Sequence, residues 1–148
     1  MRLELGRHSD YAIRAAIDLA RHHAAGSRRK AREIADEMDV PATYVPQILA
    51  DLVRAGIAVS TAGPAGGYLL ARPPGEVSLL EVIRAADDDP ASKVCVLRGG
   101  PCRWDGACAV HTFWFDAQQA MLGKLEQTTL ADVVAADTAL EPGSPAPA

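Results

Sequence analysis

Long apolar runs are missing from this 148-residue chain, so no stretch is expected to span a bilayer and no membrane partner is anticipated. The opening MRLELGRHSD has no apolar signal core, which places the chain in the cytoplasm as an expectation. Cysteine is scarce: there are three, an odd number, and a reducing compartment argues further against a disulfide framework. Neither a nucleotide-binding glycine loop nor a Ser/His/Asp constellation is present, so the chain is not read as an enzyme. An apolar fraction of 49% and a charged fraction of 23% are ordinary for one globular domain or two small ones.

The three cysteines all fall in one stretch, Cys95 to His111, reading CVLRGGPCRWDGACAVH. Six residues separate Cys95 from Cys102, five separate Cys102 from Cys108, and two separate Cys108 from His111. Gly99, Gly100, Pro101 and Gly106 give the backbone between them the freedom to wrap. Thiolates are soft ligands that suit iron–sulfur clusters and zinc, so the stretch reads as a metal or cluster cradle. Zinc held by the three cysteines and His111 is the alternative, against which stands the missing Cys-x-x-Cys pair. A bare thiol switch is a second alternative. A small thiol or iron–sulfur redox protein is the rival from another class, and it requires an accessible, acidified cysteine beside a resolving one.

Charge is unevenly spread. Residues 1–72 carry ten Lys/Arg against eight Asp/Glu, whereas residues 73–148 carry five against eleven. If the chain meets a polyanion, the front half is the side that does so.

Periodicity orders the elements. Residues 9–25 are expected as a helix capped by Ser9, with Asp10 in its first turn and His22 and His23 in its last. SRRK at 27–30 is either a solvated loop or, through Arg28, Arg29 and Lys30, a set of phosphate contacts. AREIADEM and ATYVPQILADLVRAG form two helices joined at DVP, with Ala35 at their crossing, Val40 in the turn and Val45, Ile48, Leu49 and Leu52 inward. IAVSTA, GPAGG and YLLAR then read as a β-hairpin. A helix-turn-helix followed by a glycine-tipped hairpin is a winged helix, whose second helix enters the major groove. Ser78/Glu81 and Thr129/Asp132 are capping boxes for two further helices. Between them a long helix from about Ala109 to Glu126 carries Val110, Phe113, Trp114, Ala117, Met121 and Leu125 on one side and Phe115 and Leu122 on another. A helix apolar on two sides needs two partners, its own domain and a second subunit.

The fold class expected is therefore mainly α with a small β-hairpin, a winged helix-turn-helix DNA-binding domain plus a long dimerisation helix. Residues 1–74 form the DNA-binding domain, 75–138 the dimerisation helices with the cysteine loop at 93–111, and 139–148 a disordered tail.

The strings SDYAIRA, IADEMDV, ATYVPQIL, GPAGGYLLARP, VHTFW and TTLADVV, in this order around three cysteines, resemble the IscR/NsrR/RirA regulators of the Rrf-two family over about residues 1–138. The resemblance implies a homodimer that binds a pseudo-palindromic double-stranded operator, as a repressor, and senses iron–sulfur status, nitric oxide or redox state. Cys95, Cys102 and Cys108 match the cluster cysteines. His111 matches the histidine ligand of a two-iron cluster, and Asp10 matches a carboxylate given by the other subunit to a four-iron cluster; this chain has both. Thr43 and Gln47 match base-facing positions, Tyr44 is assigned to a phosphate, and Gly66 belongs to the wing. Two residues depart from the pattern: Pro46 replaces a polar, groove-facing residue, and Ala62 stands where the wing often has an arginine.

Overall fold

The computed structural model describes residues 5–86 and 109–139. Helices α1 (Arg7–Arg21), α2 (Ala31–Met38) and α3 (Val45–Arg54) precede strands β1 (Ala58–Thr61) and β2 (Gly67–Leu70). A 3-10 turn at Pro74–Glu76 leads to α4 (Leu79–Ala86), and α5 (Ala109–Gln127) and α6 (Leu130–Ala139) follow. The mainly helical architecture with one antiparallel hairpin is the one expected. Cys95, Cys102, Cys108 and Trp104, and the tail beyond Ala139, lie outside the described residues.

Local chemistry accounts for most boundaries. α2 coincides with AREIADEM: the Glu33 carboxylate accepts from the Lys30 backbone N–H at 2.7 Å, and Asp39 beyond its end takes φ 52°, a left-handed conformation that short polar side chains tolerate. The Val40 N–H then donates to the Ala35 carbonyl at 3.1 Å, and Val40 is buried in the turn as expected. α3 starts at Val45 because residues 42–44 form a turn. Pro46 is its second residue, where a backbone N–H would have had no intrahelical acceptor.

The start of α1 differs from expectation. It begins at Arg7, with Gly6 as its cap, and Ser9 is a buried first-turn residue instead of the cap. Tertiary packing overrides the local signal there, since the added turn brings His8 against α3. The helix ends at Arg21, and His22 Nδ1 lies 2.8 Å from the Asp18 carbonyl oxygen, a bond that suits a helix C-terminus.

α1 is the centre of the core. Ala12, Ala15 and Ala16 are fully buried, and their small side chains let α3, α4 and α6 pack close. Leu19, Ile34, Ile48, Leu49, Leu52, Val77, Val82 and Leu130 join the same cluster. Each large aliphatic side chain there contributes about 1.5–3 kcal/mol of transfer free energy. The entrances of α4 and α6 pair with each other: the Leu79 N–H donates to the Thr128 carbonyl and the Leu130 N–H to the Val77 carbonyl, each at 2.9 Å. Both helices start on the expected capping boxes. The Ser78 N–H donates to Glu81 Oε2 at 2.9 Å and the Glu81 N–H to Ser78 Oγ at 3.1 Å. The Thr129 N–H donates to Asp132 Oδ2 at 2.9 Å and the Asp132 N–H to Thr129 Oγ1 at 3.2 Å. Burial alone would push the Glu81 carboxyl up, but the Ser78 N–H and the Arg72 guanidinium together hold it below its ordinary value.

The hairpin pairs Ala58 with Leu70 through to Thr61 with Gly67. Arg29 adds a third, one-residue rung: its N–H donates to the Tyr68 carbonyl at 2.9 Å and its carbonyl accepts from the Tyr68 N–H at 2.8 Å. The turn requires its glycine at 66, because a Cβ there would lie 2.0 Å from the Thr61 carbonyl oxygen and 2.7 Å from that of Ala62. Gly66→Ala is therefore expected to force the turn open at a cost of about 1–3 kcal/mol, read as a lower urea midpoint with the helical circular dichroism retained.

Among the described residues, the large apolar side chains of α5 have unlike surroundings. Leu122 is buried, whereas Val110, Phe113, Phe115 and Met121 are exposed, Phe113 at 76%.

Candidate nucleic-acid interface

α3 buries Val45, Ile48, Leu49 and Leu52 and leaves Pro46, Gln47, Ala50 and Arg54 exposed, with Thr43 exposed just ahead of them. That three-or-four spacing lines them along one solvent face. The Tyr44 ring packs against Tyr11 of α1, with centroids 5.4 Å apart and planes tilted by 55°.

The three cations of the basic run have different surroundings. Arg28 is exposed. The Lys30 Nζ donates to the Pro64 carbonyl at 2.7 Å, which ties the head of α2 to the wing tip. Arg29 is turned inward instead: its Nε donates to Asp18 Oδ2 at 2.9 Å and its Nη2 to Asp18 Oδ1 at 3.2 Å, and Nη2 also meets Glu37. Asp18 is completely buried, and its hydrogen bond holds the guanidinium above its ordinary value despite partial burial. Glu33 adds a longer ion pair at 3.8 Å, so the Arg29 charge is taken up by three carboxylates of its own chain, which sets it apart from Arg28 and Lys30. Gly66 is buried under its own turn.

Sequence reasoning passed over one group entirely. Asp51 of α3 is only 6% exposed. Its Oδ2 lies 2.7 Å from His8 Nε2, its Oδ1 accepts from Gln47 Nε2 at 3.0 Å, and Arg54 Nη1 forms an ion pair with Oδ1 at 3.0 Å. The available signal was a carboxylate set directly beside the apolar stripe, a placement that costs free energy unless donors surround it.

The two candidates for a fourth ligand sit in different settings. His111 occupies the first turn of α5, exposed, with its ring stacked on Phe115 at 6.4 Å and 12°. Asp10 lies in the first turn of α1, where its Oδ1 accepts from Arg14 Nε at 3.0 Å. Arg14 also donates to the Met38 and Asp39 carbonyls at 3.4 and 3.3 Å, so this carboxylate belongs to a link between α1 and the end of α2. Among the described residues no three His, Cys, Asp or Glu side chains gather to hold a metal, and no helix is long and apolar enough to cross a membrane.

A helix-turn-helix with an outward second helix, flanked by a glycine-dependent hairpin, defines a winged-helix DNA-binding regulator. The chain belongs to the Rrf2 family, described as iron-dependent transcriptional regulators, whose pattern matches residues 5–136. It is 32% identical over 124 residues to the HTH-type transcriptional regulator IscR of Cronobacter sakazakii, covering 84% of this chain and 75% of that protein, and the likeness to IscR of Citrobacter koseri has the same extent. Among solved structures it is similar to CymR, the global cysteine regulator of B. subtilis, with a TM-score of 0.77 at 27% identity over 91% of this chain and 98% of that one. T. potens IscR shares the fold, with a TM-score of 0.75 at 24% identity over 95% and 94% of the two chains. The relatives are transcriptional regulators and not enzymes, and this chain is likewise a DNA-binding transcriptional regulator of that family.

Proposed function

We propose that this regulator works in the cytoplasm as a homodimer on a pseudo-palindromic operator and carries an iron–sulfur cluster on Cys95, Cys102 and Cys108. The observation that carries this reading is the iron-dependent family match over residues 5–136, which spans all three cysteines together with α3 and α5. The donor chemistry agrees, because thiolates and an imidazole suit iron. His111 is the fourth ligand in this reading. It is exposed and follows Cys108 by three positions in the sequence, whereas the Asp10 carboxylate is already bonded to Arg14. When bound, the cluster supplies sensitivity to iron supply, nitric oxide and oxidants. The chain's own part is mechanical: the cysteine segment leads directly into α5, and α4 links α5 to α1 and α3.

On the DNA side, Thr43 and Gln47 read base edges in the major groove, and Arg28, Lys30 and Tyr44 meet phosphates. Arg29 holds the wing by its rung to Tyr68 and its bonds to Asp18. The wing, lacking an arginine at Ala62, contributes position more than minor-groove readout.

Protein purified without air is expected to be brown and to hold iron and sulfide, and Cys102→Ala is expected to remove nearly all of both. His111→Ala should make the cluster labile while Asp10→Ala leaves it intact; the opposite pattern transfers the fourth ligand to Asp10. Zinc in place of iron in metal analysis, or a colourless protein without sulfide, defeats the cluster reading. Gel shifts on the chain's own upstream DNA should weaken steeply with salt.

A further inference from the structure

We propose that Asp51 is a positioning residue for base selection: it fixes which way the Gln47 amide faces, and so makes α3 select adenine over guanine at the base pair Gln47 reads. The inference rests on the reading of α3 as the major-groove helix. A glutamine amide presents a carbonyl oxygen on one side and an NH2 group on the other, and rotation of its end exchanges them. Free in solvent, the amide offers either edge to a base. Here the Gln47 Nε2 donates to Asp51 Oδ1 at 3.0 Å. A carboxylate accepts hydrogen bonds and donates none, so the rotated amide, with Oε1 toward Asp51, would set two acceptors against each other. One N–H is thereby committed to Asp51, and Oε1 with the second N–H remains for the groove.

That remaining pair has a definite complement. Adenine presents an N6 donor beside an N7 acceptor, which matches Oε1 and the free N–H. Guanine presents O6 and N7, both acceptors, and meets Oε1 with repulsion. Asp51 is itself held in place. The His8 ring from α1 lies against its Oδ2 at 2.7 Å, Arg54 forms an ion pair with its Oδ1 at 3.0 Å, and the residue is 6% exposed. A buried, three-partner carboxylate does not swing to follow the glutamine, so the glutamine follows it.

The experiment uses the full chain and a duplex library with a randomised centre, bound and read by sequencing. Wild type, Gln47→Ala, Asp51→Asn and the double variant are compared, with thermal melting to verify that each is folded. Asp51→Asn keeps the side-chain volume but presents a donor as well as an acceptor. The expected result is that wild type enriches adenine at a position lost in Gln47→Ala. Asp51→Asn should then reduce adenine-over-guanine discrimination at that position alone, by about tenfold. The double variant should behave there as Gln47→Ala does. Unchanged discrimination in Asp51→Asn overturns the inference, as does a uniform loss across all positions, which would assign Asp51 a structural role only. A wild-type pool with no enrichment overturns the DNA-reading assignment of α3 and the inference with it.

Discussion

Asp18→Ala is expected to destabilise the chain by about 3 kcal/mol, the lower end of what removing one partner from a buried ion pair costs. Asp18 is fully buried on α1 and accepts two hydrogen bonds from Arg29, whose side chain is 12% exposed. Without Asp18 the guanidinium keeps Glu37 and the more distant Glu33, both exposed partners, and loses the buried one. In a chain of this size the loss corresponds to a fall of about 10 °C in the melting temperature. The damage should reach beyond stability, because the Arg29 backbone is the rung that joins β2 to the head of α2. DNA affinity is expected to drop along with the melting point. The double variant Asp18→Leu/Arg29→Met supplies the control. Replacing both charges by apolar groups of similar volume is often neutral or stabilising, so it should recover most of the melting temperature. If Asp18→Ala melts within a degree or two of wild type, the pair is not the link argued here.

Much of this fold was legible because it is locally encoded. α2 matches its string residue for residue, and the capping boxes at Ser78/Glu81 and Thr129/Asp132 close as their spacing requires. The stripe of Val45, Ile48, Leu49 and Leu52 is buried for the same reason. The failures are non-local. Ser9 looked like a cap, but α1 extends one turn upstream, where His8 meets Asp51 from 43 residues away. Arg29 sat in a basic run, and runs of like charge ordinarily face water. Its partner Asp18 lies eleven residues earlier on α1, and only the fold brings the two together. Asp51 carried no motif at all, since a carboxylate on a surface helix is unremarkable until its burial is known. The cysteine spacing was legible as ligand chemistry alone, and those three residues lie outside the described ones.

The second large effect belongs to α5. Phe113→Asp is expected to turn the proposed dimer into a monomer and to weaken binding to a palindromic duplex by about 10²–10⁴-fold. Leu122 faces the chain's own core, while Val110, Phe113 and Met121, spaced at helical intervals, are exposed at 41%, 76% and 39%. A phenylalanine left in water forgoes a large favourable burial, and several on one helix mark a face that binds something apolar. A second copy of the same helix is the partner that the proposed two-fold operator calls for, because one winged helix reads only one half-site. Joining two half-site readers makes the second binding event intramolecular, and the affinity gained that way vanishes with the joint. An aspartate at the centre of the face would place two like charges together across the two-fold axis and desolvate both. Sedimentation should then give the monomer mass, and a duplex bearing a single half-site should bind wild type and variant equally. That last comparison separates a lost interface from a damaged DNA-binding unit: if the variant also loses the half-site, misfolding and not dissociation is the cause, and if it stays dimeric, α5 is not the dimer's seam.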